Sequence, residues 1–403
     1  MSEWKETDYG KIPSKWKFIK GTEFCSKVTD GTHDSPKQVD SGRFLVTSKH
    51  IKGRDIDFDN AYKISEEDYK KIIARSHVDQ WDVIISMIGE YCGFTYIERN
   101  HLPEYAVKNV GMFKTGNEDK AKWLHYYFNS KIGKAVLEAQ KTGTSQPYIT
   151  LGSLRNIEIL MPDDERNIKK IAEVLSSLDD KIDLLNRNNK TLEQLAETLF
   201  RQWFVEEAEN EVNEISLSEI SKHVKKSVNP SKTPDQFFKH YSLPAFDNGR
   251  NPETQLGRDI LSNKYAISPG QILISKLNPR TPRVWFINSC NNDSICSTEF
   301  QVYEPIKKEF TEFVYCLLKS NDTRDILTGA SSGTSGSHQR VNPEDINKLT
   351  IKKPNEEKIK QFHQIASVWL NKIDKNSIQI QQLETLRDTL LPKLMSGVVR
   401  VEK

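Results

Sequence analysis

Cysteine is scarce in this 403-residue chain: five residues, at positions 25, 92, 290, 296 and 316, with no Cys-x-x-Cys pair among them. An odd, scattered set builds neither a disulfide framework nor a zinc knuckle, and reduced thiols in a cytosol fit it best. No uncharged apolar run reaches the roughly 18 residues that a membrane span needs, and no charged-then-apolar leader opens the chain, so a soluble intracellular protein is expected. An excess of one charge is missing too: 58 Lys+Arg against 56 Asp+Glu leave a net +2. The signatures of several chemistries are absent as well. No Gly-x-x-x-x-Gly-Lys-Ser/Thr loop offers itself to nucleotide phosphates. No Asn/Asp-Pro-Pro-aromatic stretch suggests adenine methylation, and "PDQFFKHY" at 234–241 lacks the Glu-x-Lys that would make it a nuclease motif. His33 and His338 have no partners at metal-ligand spacing, so no metal is expected.

What the sequence does have is a duplication. "GTSQPYITLGSLRNIEILMP" (143–162) returns as "GTSGSHQRVNPEDINKLTIKKP" (333–354). The shared "GTS" stands 190 residues apart, the closing prolines Pro162 and Pro354 192 apart, and "KID" at 181–183 and 372–374 191 apart. "LEQL" at 192–195 and "LETL" at 383–386 keep the same offset of 191. Such agreement reads as one plan used twice: block, helix, block, helix. The expected divisions are 1–162, a first recognition block; 163–209, a central helix; 210–353, a second block; and 354–403, a second helix and tail. Charge follows these divisions, with 7 basic against 12 acidic residues in 163–209 and 19 against 13 in 220–353. A polyanion would therefore meet the blocks rather than the helix.

The helices are read from their period. Ile171, Leu175, Leu178, Ile182, Leu185, Asn189, Leu192, Ala196, Leu199 and Trp203 alternate steps of three and four, a heptad seam with one polar break. Phe362, Ala366, Trp369, Ile373, Asn376, Ile380, Leu383, Arg387, Leu390 and Leu394 form a second seam, broken at Asn376 and Arg387. A helix of about 40 residues is roughly 60 Å long and cannot bury its stripe in a small block. The other copy is the obvious complement, which predicts an antiparallel coiled coil within the chain. Runs such as "DVIISMIG", "RNIEILMP", "GQILISKL" and "EFQVY" read as strands, and "AKWLHYYFNSKIGKAVLEAQ" and "FTEFVYCLLKSNDTRDIL" as helices. The fold class expected is α+β: two tandem globular domains with small curved sheets, each followed by a long helix.

The chain resembles, over its whole length, the specificity subunits of bacterial type I restriction–modification systems. The resemblance rests on "YGKIPSKWK" near the start, "VTDGTHDSP", "TLFRQWFVE" at the end of the central helix, "CSTEF", "GASSGTSGSHQRVN" and "TLLPKLMSGVVRV". It implies a cytoplasmic, non-catalytic subunit with two target-recognition domains, each reading one half of an asymmetric bipartite DNA site. It implies helices that set the unread spacer and dock two methyltransferase subunits, with two ATP-dependent restriction subunits joining that core. It implies no cofactor on this chain: S-adenosylmethionine would sit on the methyltransferase subunits, which modify adenine N6, and ATP and magnesium on the restriction subunits. A stand-alone repressor on the same scaffold is the alternative; a DNA-acting enzyme in its own right is disfavoured by the missing motifs.

Affinity for DNA comes chiefly from Lys and Arg on phosphates, and specificity from side chains at base edges. In the first block the candidates are Thr32 and His33 of "DGTHDSP", Lys49, Tyr91 of "GEYCG", Lys108 and Asn109, and Thr144, Ser145, Gln146 and Tyr148 of the repeated loop. In the second they are Lys276, Arg280 and Arg283 around a double-Pro turn, Thr298 and Glu299 of "STEF", and Ser335, His338, Gln339 and Arg340. Glu suits cytosine N4, Gln adenine and Arg guanine.

Overall fold

The computed structural model describes residues 3–143, 145–208, 211–331 and 339–401. It divides into two compact units, Met1–Asp183 with Gln381–Lys403, and Leu184–Ile380. Each long helix gives one half to each unit.

The first unit opens with the short strands β1 (Trp4–Lys5) and β2 (Ile12–Pro13), then β3 (Lys17–Lys20), a single helical turn α1 (Gly21–Phe24) and β4 (Lys27–Asp30). There follow β5 (Arg43–Thr47), β6 (Lys63–Ile64), α2 (Glu66–Ser76), β7 (Asp82–Ser86), β8 (Thr95–Ile97), β9 (Tyr105–Lys108) and β10 (Val110–Lys114). Helices α3 (Glu118–Asn129), α4 (Lys131–Gln140) and α5 (Leu151–Asn156), strand β11 (Glu158–Met161) and the long α6 (Glu165–Arg201) complete it. Polar caps set the helix starts. The side chains of Ser65, Asn117, Ser130 and Thr150 accept from the backbone N–H groups of Asp68, Lys120, Gly133 and Ser153, each satisfying a donor that an uncapped helix leaves orphaned. The sheet β4-β10-β7-β8 is antiparallel, and a second, β6-β5-β9, carries a parallel β5–β9 pair. Every residue of β7 is buried, which explains its apolar run without alternation: it is covered on both faces.

The second unit repeats the plan. Strand β12 (Glu214–Ser216), α7 (Leu217–Ile220) and β13 (Ser221–Val224) stand where β3, α1 and β4 stand in the first. After β14 (Ser227–Val228) come β15 (Phe237–Tyr241), α8 (Leu243–Asp247), β16 (Glu253–Leu256), β17 (Lys264–Ala266), β18 (Ile272–Ser275), β19 (Val284–Phe286), β20 (Ser294–Cys296) and β21 (Phe300–Pro305). Helices α9 (Thr311–Lys319), α10 (Asn321–Ala330) and α11 (Pro343–Asn347), strand β22 (Thr350–Lys352) and the long α12 (Glu356–Met395) follow. The sheet β13-β21-β18-β19 has the order of β4-β10-β7-β8, β12–β22 pairs as β3–β11 does, and β15 runs parallel to β20 as β5 does to β9. The difference is an extension: β14 and β17 widen the second sheet to five strands.

Within each unit α6 and α12 run antiparallel. In the first, Ile168, Ile171 and Leu175 share a core with Leu394 and Met395, and Arg387 Nη1 donates to Asp179 at 3.0 Å. In the second, Ala196, Phe200 and Phe204 share a core with Ile359, Phe362, Ala366 and Leu370. There the Phe204 and Phe362 rings lie 5.4 Å apart, and Asn376 Nδ2 donates to Asn189 Oδ1 at 2.8 Å. Two of the three polar breaks in the seams, Asn189 and Asn376, therefore meet each other, and the third, Arg387, meets Asp179. Leu175, Ile182, Leu185 and Ile380 are buried, whereas Leu178, Leu192, Leu199, Trp369, Ile373, Leu383 and Leu390 are half-buried. The buried stripe is wider than a two-residue heptad seam because each helix half packs on its globular block as well as on its partner.

Carboxylates on α6 tie the helices to the blocks. Asp179, with a side chain 5% exposed, contacts Arg54 and Arg387 and accepts from the Tyr126 hydroxyl at 2.6 Å. In the second unit Glu193 meets Arg250 at 2.9 Å and Lys319 at 2.7 Å and accepts from the Tyr315 hydroxyl.

Candidate nucleic-acid interface

In the first unit five loops gather at one place, and a single hydroxyl joins three of them. Ser48 Oγ donates to the Asn109 carbonyl at 2.6 Å and accepts from Met87 N–H at 3.2 Å. The 30–35 loop is stitched to the β9–β10 turn by Thr32 N–H to the Val107 carbonyl at 2.9 Å and Asn109 N–H to the Thr32 carbonyl at 3.2 Å. Asn109 itself adopts φ +55°, a left-handed conformation that asparagine tolerates well for a side-chain-bearing residue. Lys108 Nζ donates to Ser35 Oγ. The His33 ring lies between Asp30, whose Oδ2 is 3.0 Å from Nε2, and Asn109, whose Oδ1 is 3.1 Å from Nδ1. Arg75 donates to the other oxygen of Asp30 at 2.8 Å.

The repeated loop sits next to this cluster. Gly89 N–H donates to the Pro147 carbonyl and Ile149 N–H to the Met87 carbonyl, both at 2.9 Å, and Ile88 bridges Tyr148. Ser145, Gln146 and Tyr148 are exposed upon it. Tyr91 is half-buried and stacks edge-on with Phe94, with Lys52 Nζ 4.1 Å above its ring, while Lys49 is exposed and makes no ion pair among the described residues. The first block's described candidates thus come together although they lie up to 116 residues apart in sequence (Thr32 to Tyr148).

The second unit docks its copy of the loop in the same way. Asn278 N–H donates to the Gln339 carbonyl at 3.1 Å, Val341 N–H to the Lys276 carbonyl at 2.9 Å, and Leu277 bridges Arg340. Residue for residue these are the contacts of Gly89, Ile149 and Ile88. Lys276 Nζ donates to the Thr298 carbonyl at 2.6 Å, and Arg340 pairs with Glu299 at 2.9 Å. Burial lowers the Lys276 ammonium below the usual lysine range; Glu299 opposes the shift, and nearby Lys225 and Arg340 add to it. The three cations around the double-Pro turn diverge. Arg283 forks onto Asp247 at 2.7 and 2.9 Å, Lys276 turns inward, and Arg280 stays exposed. Thr144, Ser335 and His338 lie outside the described residues.

Sequence reasoning missed Asp30, Arg75 and Ser48, the groups that hold the candidate residues in place. Asp30 opens "DGTHDSP" itself, three residues before His33, which could have pointed to it; nothing local marks Arg75 or Ser48.

Comparison with known proteins agrees with this architecture. Residues 13–194 match the family model for the type I restriction modification DNA specificity domain. The whole chain aligns at 25% identity with 98% of the MjaIX type I restriction enzyme specificity subunit of Methanocaldococcus jannaschii. At 22% identity, 81% of the chain aligns with 88% of the HindI specificity subunit of Haemophilus influenzae. The crystal structure of the type I S subunit from M. genitalium superposes with a TM-score of 0.60, covering 94% of this chain and 96% of that one at 15% identity, a likeness of fold.

Proposed function

We infer that this chain belongs to the type I restriction–modification specificity subunits and is the non-catalytic member that gives such a complex its DNA sequence specificity. The duplicated docking of the repeated loop carries the reading: two units whose four-stranded sheets share one strand order hold the end of that loop on the same three backbone contacts, yet dress it with different side chains. Two equivalent readers with unlike surfaces suit a site whose halves differ. Each loop cluster reads one half of an asymmetric bipartite DNA site. Lys49 and Arg280, both exposed, would take phosphates, and base edges fall to candidates that the protein does not tie up, such as Asn109, Gln146 and Glu299.

Helices α6 and α12 set the unread gap and dock two methyltransferase subunits, which bring S-adenosylmethionine to adenine N6. Apolar side chains left on the helices, such as Leu195 at 45% and Val368 at 63% exposure, support that docking. Two ATP-dependent restriction subunits, with their ATP and magnesium, complete the assembly in the cytoplasm. The test is co-purification with candidate methyltransferase subunits, then mapping of N6-methyladenine in cells expressing the set. A two-part motif is expected, and replacing residues 1–150 with another block alters one half of it. A change in both halves sinks the assignment.

A further inference from the structure

Asn109 and Glu299 occupy the same place in the two units. Each immediately precedes the central strand of the four-stranded sheet, β10 or β21. The first residue of that strand, Val110 or Phe300, sits in register with or beside the serine that ends the neighbouring strand: Val110 pairs with Ser86, and Phe300 with Ser275. The duplication thus puts a carboxamide and a carboxylate at one equivalent position in the two units.

Each side chain is also braced from behind. Asp30 is buried, and with one oxygen on Arg75 it turns the other to His33 Nε2, which therefore carries the proton it donates. Nδ1 then meets the Asn109 carboxamide at 3.1 Å. An Nδ1–H makes that contact by donating to the amide oxygen, and a turned carboxamide makes it through its own N–H. In either case both ring nitrogens are committed inside the protein. His33, although its side chain is 62% exposed, has no nitrogen left for a base. Asn109 keeps one edge free, an oxygen lone pair beside an N–H, which is the pair that adenine N6 and N7 complement. Glu299 is held in the same manner: Oε1 accepts from Arg340, and Oε2 has no partner among the described residues although it is shielded from solvent. That oxygen is out of reach of a base, so the capacity left to Glu299 is the second lone pair of Oε1 beside Arg340; a carboxylate can only accept, as cytosine N4 requires.

We propose that Asn109 and Glu299 are the equivalent base-reading residues of the two blocks, Asn109 taking adenine and Glu299 cytosine, with His33, Asp30 and Arg340 as positioning residues. This rests on the specificity-subunit reading and deepens it. Two bonds to a base edge discriminate against the wrong base by roughly 5- to 150-fold.

The test uses the full chain with its co-expressed methyltransferase subunits and reads the methylated motif base by base. Asn109→Gly removes the side chain while suiting the positive φ, so the backbone has no reason to move. It should relax one adenine position in one half-site by that factor and leave the other half intact. Glu299→Gln, nearly isosteric, should shift one position of the other half from cytosine toward adenine. Asp30→Asn should relax the position that Asn109→Gly relaxes, to a smaller degree, which a general loss of stability would not do. The proposal is overturned if Asn109→Gly leaves every position of its half-site as strict as before, or if both variants alter the same half. Should either variant fail to accumulate, Asn109→Asp and Glu299→Asp carry the same comparison, with unchanged base preference counting against it. A wild-type complex with no two-part motif would instead remove the specificity-subunit reading itself.

Discussion

If the paired helices measure the gap between half-sites, lengthening both by the same amount should lengthen the gap by a calculable number of base pairs. Asn189 and Asn376 mark the level at which to insert, because their hydrogen bond fixes the register of the antiparallel pair. Four residues added to each helix there keep all flanking partners opposite one another and extend the pair by about 6 Å at 1.5 Å per residue. Against about 3.4 Å per base pair that is close to two pairs. Rotation matters as well. Four residues turn an α-helix by about 40° beyond a full turn, and two base pairs turn the duplex by about 70° at 10–10.5 pairs per turn. The mismatch is near 30°, which a surface loop can absorb. A whole heptad adds about 10.5 Å and ends about 20° short of two turns, whereas three base pairs advance the duplex by about 105°. The four-residue insertion should therefore shift the methylated motif to a gap two pairs longer with activity retained, and the heptad should give a three-pair shift at much lower occupancy. Methylome sequencing of cells expressing each variant decides the matter. An unchanged gap with methylation intact would refute the ruler.

Other perturbations test what holds the blocks on the helices. Asp179→Ala takes their shared acceptor from Arg54 and Arg387, which keep Asp183 and Asp388, so the cost should fall below the roughly 3–5 kcal/mol of leaving a buried charge unpaired; urea unfolding should show the loss. Burial opposes ionisation of Glu193, but Arg250, Lys319 and the Tyr315 hydroxyl outweigh it and hold the carboxyl at about 2 against an ordinary 4.5. A depressed carboxyl stabilises the fold above its unfolded value, so this contribution is present at neutral pH and fades as pH falls from about 4.5 through about 2. It amounts to about 3 kcal/mol at 1.36 kcal/mol per pKa unit. The stability difference between wild type and Glu193→Gln should shrink over that window in denaturation series, and a difference independent of pH would contradict the assignment. Replacing Asn189 and Asn376 together by Leu removes a polar pair from the helix interface, including an Asn376 Oδ1 without a partner among the described residues. It should raise the thermal midpoint while loosening register, since a polar pair trades stability for a single alignment; a lowered midpoint would show the pair to be stabilising in its own right.

The periodic features were legible before any coordinates. Leu175, Ile182, Leu185 and Ile380 lie buried where the heptad spacing put them, and the breaks at Asn189 and Asn376 marked a level where the helices exchange a side-chain hydrogen bond. Phe200, Phe204 and Leu370 lie off the predicted seams and are nevertheless buried in the second unit. A heptad assumes one partner, whereas these helix halves also pack on a block.

Sequence alone determined the duplication, the two long amphipathic helices and the loops that hold the candidate residues, because repeats and burial periods are local and survive being read one residue at a time. Only the tertiary structure decided which of those side chains are free to act. His33 and Arg340 looked like readers and turn out to be held by Asp30 and Glu299, and Arg283 is held by Asp247. With the contact between His33 and Asn109, these pairings join segments as far apart as residues 33 and 109, and they follow from strand register and loop docking that bring the side chains within about 3 Å. No spacing along the chain encodes such a meeting; it exists only once the sheets have aligned.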